Sequence, residues 1–194
     1  LFTLSAHHPF VVPDKYAATL PEGYTRIHPG VAYDDQAFRR FFERFGAEEW
    51  FRRTIFVFVA DHVSSEKFAP QTRTYPGNMH ILGFMYTPDG VLQGTVGEIT
   101  QQLDIMPTLL GLLGNRESYF AFGRDILNEP ARPRWSVSYD GAFRALTDST
   151  TLQLDDATQP VAAQAADSTA LRSFEALVQQ YYTRIERKNF TADD

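Results

Sequence analysis

The sequence predicts an α/β domain of three layers, helices on both faces of a sheet, and three observations predict it. Thr54–Ala60 is a continuously apolar, β-rich run that ends in a polar pair. Amphipathic helical segments lie before it and well after it. A second apolar run, Ile81–Tyr86, follows and is closed by Pro88-Asp89-Gly90. The resulting order of strand, helix, strand, strand, helix is that of layered α/β domains.

The elements follow in chain order. Leu1–Leu4 reads as a short strand leading into Ser5-Ala6-His7-His8-Pro9-Phe10. A loop rich in Pro, Gly and Tyr extends from Val12 to Gly30. Asp34 and Asp35 offer a helix N-cap, and Phe38, Phe41, Phe42 and Phe45 then fall at i, i+3, i+4, i+7, with Gly46 as the stop. Thr54–Ala60 has the unbroken apolarity of a central parallel strand covered on both faces. Asp61-His62 stands where that strand ends, and open α/β sheets bind ligands beyond the carboxyl ends of their strands. Val63–Met79 shows no periodicity, as functional loops often do. Asp104 is placed to cap a helix that tolerates Pro107 in its first turn, with Ile105, Leu109, Leu112 and Leu113 apolar and Gly114 ending it.

The rest of the chain changes character. Trp135–Tyr139 and Ala142–Leu146 flank Asp140-Gly141, a two-residue hairpin signal. Thr151–Leu154 adds a third strand. A final helix after Ser168 aligns Leu171, Phe174, Val178, Tyr181 and Ile185. The expected organisation is residues 1–130 as the main portion and residues 131–194 as a hairpin and helix packing on the same domain.

Composition narrows function. The 194 residues are 43% hydrophobic and 22% charged, enough for one domain's core and unlike a disordered chain. The net charge is −6 and no basic patch is interleaved with aromatics, which argues against nucleic acid. An acidic protein that handles anionic esters needs local positive charge, and a bound metal ion is the obvious source. With no cysteine, disulfides, thiol chemistry and Cys-ligated zinc or iron–sulfur sites are excluded. No apolar run approaches the roughly 20 residues of a membrane span, and no signal peptide is visible. The start at Leu1, inside a strand-like run, is what a cut through a larger protein would give.

Asp61-His62 joins a hard carboxylate oxygen to an imidazole nitrogen, a pair suited to Mn²⁺ or Zn²⁺. By itself the dipeptide is better explained as an Asp that caps a turn and a His that hydrogen-bonds nearby; the apolar strand before it and the polar loop after it favour the metal reading. His7, restricted by Pro9, could hold a phosphate or sulfate oxygen or move a proton, but on local sequence alone a half-buried loop histidine is the preferred reading. His80 either approaches the site or closes the core, and the structural role is preferred. His28 reads as a loop residue without a role. Tyr33, Asp34 and Asp35 are better explained by capping than by carboxylate chemistry, and Arg73 as a solvated arginine rather than an anion contact.

Several segments, in order and spacing, resemble the catalytic domain of lipoteichoic acid synthase-like sulfatases, within the alkaline phosphatase superfamily. Thr3–Phe10 is similar to T-L-[ST]-x-H-x-P-F, and Tyr33–Phe42 resembles the helix Y-x-D-x-x-[IL]-x-x-F. Thr54–His62 resembles the strand T-[IL]-[IV]-x-[FV]-x-[GA]-D-H. Gln102–Leu110 resembles Q-x-D-[IL]-x-P-T-[IL]-L, and Phe122–Leu127 resembles F-G-x-[DS]-[IL]-L.

The resemblance covers about Phe2 to Leu127. It implies an alkaline-phosphatase-like fold, of which this chain is the C-terminal part. It also implies a divalent metal ion with Asp61 and His62 as ligands, and His7 on the transferred phospho group. The implied activity is hydrolysis or transfer on phosphate or sulfate esters, of phosphoglycerol or phosphoethanolamine type. The implied substrate is anionic and lipid-linked, handled on the outer side of a bacterial cell membrane. Asp104, Pro107 and Thr108 match a structural segment and are assigned no catalysis.

Two departures stand out: Val63 replaces the family's usual Gly after Asp-His, and no segment matches the family's threonine nucleophile or its upstream acidic ligand. The Cys/Ser-x-Pro-x-Arg signature of arylsulfatases is missing too. No catalytic residue is therefore expected within this chain, and the chain alone is expected to be inactive.

Overall fold

The computed structural model describes residues 1–129, 134–155 and 168–191, in two compact units, Leu1–Thr95 and Val96–Asp194. The expected boundary between residues 130 and 131 falls outside the described residues.

In the first unit a short helix α1 (Asp14–Ala17) precedes the long helix α2 (Ile27–Phe45). Helix α2 begins seven residues before Asp34, so Asp34 and Asp35 sit inside it and cap nothing. Asp35 instead pairs with Arg39 one turn on, at 3.7 Å, well exposed. The entry to α2 is made by His28, whose Nδ1 accepts the backbone N–H groups of Tyr24 and Thr25 at 2.8 and 3.3 Å. A residue read as a bystander thus ties the two residues ahead of the N-cap Arg26 to the first turn of the helix. Gly30 in the first turns is required by contact: a Cβ there would lie 2.1 Å from the Ser5 carbonyl oxygen.

Helix α2, the short α3 (Glu49–Arg52) and strands β1 (Phe56–Val59) and β2 (Gly83–Tyr86) share an aromatic cluster. Phe38 and Phe42 of α2 meet Phe58 edge-on and stacked, at 5.1 and 6.2 Å, and buried Phe51 meets Phe56 at 4.7 Å. The i, i+3, i+4, i+7 spacing put those rings on one face. Strand β1 departs from expectation. Among the described residues it belongs to a two-stranded sheet and pairs antiparallel with β2, Phe56 opposite Tyr86 and Val59 opposite Gly83. Only its phenylalanine face is covered by α2; Val59 on the other face is 44% exposed. The unbroken apolar run was compatible with any strand, and its partner lay in β2, too far along the chain for periodicity to reveal.

The second unit holds the buried core. A 3₁₀ turn, Gln102–Asp104, leads into α4 (Ile105–Leu112). Asp104 caps that turn and not α4: its carboxylate accepts the N–H of Gln101 at 3.0 Å and that of Arg124 at 2.9 Å. Pro107 and Thr108 face inward, whereas Leu113 lies past the helix end, exposed. Gly114, at φ +69°, closes α4 with its N–H on Gly111 and that of Asn115 on Leu110, the Schellman pattern.

Strands β3 (Trp135–Tyr139), β4 (Phe143–Thr147) and β5 (Thr151–Leu154) form an antiparallel meander. Tyr139 pairs with Phe143, so the turn holds three residues, Asp140–Ala142, with Gly141 at φ +68°. Helix α5 (Ser168–Arg187) lays Phe174 and Val178 on this sheet, where with Ala145, Leu152 and Leu154 they are excluded from water. Its apolar stripe fades in the last turns, leaving Tyr181 and Ile185 more than 40% exposed.

Candidate metal and anion site

Asp61 and His62 follow β1 directly, where the sequence placed them. Both are exposed, and they face each other: His62 Nε2 lies 3.5 Å from Asp61 Oδ2. The His62 N–H donates to Asp61 Oδ1 at 2.9 Å, which fixes the carboxylate against its own backbone. His62 Nδ1 lies 2.8 Å from the Val63 carbonyl. A carbonyl oxygen only accepts, so Nδ1 carries the hydrogen, and the second nitrogen, Nε2, is turned toward Asp61. In the neutral ring this sets a nitrogen lone pair against a carboxylate oxygen, an arrangement that a cation between them relieves.

The donor set fits a divalent metal. Two ligand atoms each about 2.1 Å from one ion in tetrahedral geometry lie about 3.4 Å apart, close to the observed separation. The Val63 carbonyl supplies the outer hydrogen bond that metal-ligating histidines characteristically make. Because that contact uses a backbone carbonyl, Val63 in place of glycine does not remove it. Among the described residues, no group of three or more His, Asp or Glu side chains is gathered closely enough to share an ion.

His7 stands in the turn after the N-terminal run. Its N–H donates to Leu4 O at 3.0 Å, Phe10 donates back to His7 O at 2.8 Å, and Arg26 reaches Pro9 O at 3.4 Å. The close approach of Gly30 to Ser5 sets this turn against α2. The His7 Nδ1 lies 2.7 Å from the His8 carbonyl, so here too Nδ1 carries the hydrogen and Nε2 is the atom left for chemistry. His80 is exposed, with its N–H on Gly77 O, and does not close the core. Arg73 is exposed and donates to Lys67 O at 3.4 Å.

Sequence reasoning missed a buried polar network in the second unit. The Arg124 side chain is only 5% exposed; its Nη2 meets Glu98 at 3.5 Å and Ile99 O at 3.2 Å, and Glu98 also takes Arg134 at 2.7 Å. Thr108 donates to Asp104 O and accepts the Ile126 N–H, tying α4 to the same segment. Glu98 lies 26 residues from Arg124 and 36 from Arg134 along the chain, and no local spacing marks them. The structural role expected of Asp104, Pro107 and Thr108 agrees with their burial.

Residues 1–115 match the family model named Sulfatase. This chain belongs to the sulfatase family, an enzyme family. Within it the similarity runs to the lipoteichoic acid synthase-like branch. The lipoteichoic acid synthase-like protein YvgJ of Bacillus subtilis is 25% identical over 166 residues, covering 73% of this chain and 26% of YvgJ. The crystal structure of the lipoteichoic acid synthase LtaP from Listeria monocytogenes superposes with a TM-score of 0.68 at 18% identity, covering 98% of this chain and 53% of LtaP. That likeness gives this chain the alkaline-phosphatase-like fold of LtaP. The chain spans about a quarter of YvgJ's length and about half of LtaP's.

Proposed function

We propose that Asp61 and His62 supply two ligands to the divalent cation, Mn²⁺ or Zn²⁺, of a sulfatase-type hydrolase or transferase acting on phosphate or sulfate esters. The nucleophile and the remaining acidic ligand come from outside these 194 residues. YvgJ is named lipoteichoic acid synthase-like and LtaP a lipoteichoic acid synthase, which supports a lipid-linked anionic substrate; a phosphoglycerol-type group handled at the outer face of a bacterial cell membrane is part of the same proposal. No helix among the described residues is long and apolar enough to cross a membrane. The observation that carries the reading is the approach of His62 Nε2 to Asp61 Oδ2 with Nδ1 held by the Val63 carbonyl.

Bound there, the cation would lower the nucleophile's pKa and stabilise charge on the non-bridging oxygens. The chain's own residues do the positioning. Asp61 presents an oxygen held by the His62 N–H, and His62 presents Nε2 in one tautomer. His7, its Nδ1–H committed to His8 O, offers Nε2, which in the imidazolium form donates to a non-bridging oxygen or to the leaving group. A water acceptor gives hydrolysis and an alcohol acceptor gives transfer. A second reading is that the chain by itself is inactive or serves as an interaction module without metal chemistry.

The test is Mn²⁺ binding followed by electron paramagnetic resonance, beside an ester-hydrolysis assay with Mn²⁺ or Zn²⁺. Asp61→Ala and His62→Ala are each expected to weaken binding at least about tenfold. Unchanged affinity in both overturns the site. Turnover by this chain, abolished in Asp61→Ala, would refute the dependence on an outside nucleophile.

A further inference from the structure

We infer that a cavity at the end of the β1–β2 ladder away from Asp61 binds a small zwitterion, with its alkylammonium group in a corner of three aromatic rings and its anionic group on an arginine. The inference goes beyond the ester-processing reading above and shares no residue with it. The cavity belongs to the first unit and has a volume of about 370 Å³, within the range of small-molecule sites. Phe42, Phe51 and Tyr86 line it, together with Arg52 and Asp89. Tyr86 pairs with Phe56, whereas the chain leaves for Asp61 from the Val59–Gly83 end of the ladder. The run from Phe56 to Asp61 spans roughly 17 Å at about 3.4 Å per residue.

The rings are set at steep angles to one another. Phe42 stands 5.3 Å from Phe51 at 86° and 5.4 Å from Tyr86 at 60°. Coplanar rings would make a flat platform; rings so inclined enclose a corner. Aromatic faces carry negative potential, and cages built from several rings recognise alkylated ammonium groups.

Two charged groups give the cavity opposite poles. Asp89 Oδ1 accepts the Val91 N–H at 3.1 Å, which fixes the carboxylate in the turn after β2. That bond, and then the Thr87 hydroxyl, holds the carboxyl below the usual range, so Asp89 stays ionised around neutral pH. On the other side, Arg53 pairs with Glu49 at 3.4 Å, but the neighbouring Arg52 guanidinium meets no carboxylate among the described residues. Arg52 and Asp89 thus line one cavity without pairing with each other. A mere packing void is apolar on all sides. Opposite charges that share a cavity and do not meet complement a molecule that carries both. The ammonium then lies against the rings and Asp89, and the anionic end against Arg52, which can donate two hydrogen bonds to it.

The probes are glycine betaine and γ-butyrobetaine, each a trimethylammonium joined to a carboxylate, by a short and a longer spacer. Calorimetric titration of this chain should show saturable binding of at least one of them. Trp50, whose ring lies 5.7 Å from that of Phe51, should report the same event by fluorescence in a Trp135→Phe background. Asp89→Asn and Arg52→Gln, both at exposed positions, are each expected to weaken binding at least about tenfold. Tyr86→Leu should weaken it about fivefold. Tetramethylammonium chloride and sodium acetate, which carry one pole each, should bind at least about tenfold more weakly than the zwitterion. Saturation by neither betaine overturns the inference, as does an affinity indifferent to Asp89→Asn or to Arg52→Gln. Tetramethylammonium bound as tightly as the zwitterion also overturns it, because Arg52 would then have no part. Asp61→Ala should leave betaine binding unchanged, so loss of Mn²⁺ binding and loss of betaine binding are separable results.

Discussion

Replacing Gly30 by alanine sets two effects of opposite sign against each other at the turn that carries His7. Alanine in place of glycine inside a helix is worth about 1 kcal/mol of stability, so an unhindered substitution in α2 would strengthen the first unit. Here the added Cβ would stand 2.1 Å from Ser5 O, 2.8 Å from Ser5 C and 3.3 Å from Ala6 N. The obstacle is main chain and cannot rotate away. Restoring even a 3.0 Å contact needs a 0.9 Å shift of the strap or of α2. Overpacking costs about 1–3 kcal/mol, and a carbonyl obstacle argues for the upper end. The expected net loss is about 2 kcal/mol.

The two tryptophans make this measurable, because Trp50 lies in the first unit and Trp135 in the second. In a Trp135→Phe background, Trp50 fluorescence should report a urea midpoint about 1–2 M lower for Gly30→Ala. The His7 ring resonances should move as well, since the displaced Ser5 opens the Leu4–His7 turn. Ala37→Gly, at an exposed position of α2, calibrates the propensity term alone and should cost about 1 kcal/mol. A raised midpoint for Gly30→Ala, with His7 unmoved, would refute the claim that this glycine sets the His7 turn.

Three further outcomes are expected. Phe174→Ala removes a ring with no exposed surface from the sheet-facing side of α5 and should cost about 3–5 kcal/mol in urea unfolding followed by Trp135 fluorescence. Glu98→Ala strips the carboxylate from buried Arg124 and from Arg134; because Glu98 is itself a third exposed, the loss should be roughly 2 kcal/mol, between exposed and fully buried pairs. The N–H of Val91, and then the Thr87 hydroxyl, hold the Asp89 carboxyl below the usual carboxylate range. A carboxyl lowered by folding contributes stability above its unfolded value and loses it as pH falls through the folded one. Carbon NMR of the Asp89 carboxyl should show the low titration, and Asp89→Asn should flatten the acid side of the first unit's pH–stability profile.

What the sequence made legible depended on how local each signal was. Gly114 as a helix stop, the three strands of the meander and the Phe174/Val178 face of α5 rest on turn chemistry and periodicity within a few residues, and they appear as expected. The start of α2 was hidden because Pro29 and Gly30 read as loop residues. Proline is tolerated in a first turn, and this glycine answers a contact with Ser5, twenty-five residues away. Strand β1 was legible as a strand and not as an antiparallel one, since pairing belongs to the partner. At the candidate site, the adjacency of Asp61 and His62 could be read directly. The Val63 carbonyl that selects the histidine's tautomer could not, because it depends on backbone direction alone.

Among the described residues, the largest fully buried side chains, Phe174, Leu152, Leu154, Val178, Thr108 and Pro107, belong to the second unit, whereas Asp61, His62 and His7 belong to the first. Folding strength and prospective chemistry thus occupy different stretches of one polypeptide. Heat would therefore loosen the N-terminal half, which has fewer fully buried side chains among the described residues, before the C-terminal one. For the same reason, the loop from residue 63 to residue 79 could diversify over evolutionary time, altering what the site accepts, while the thermally robust half keeps the protein in circulation.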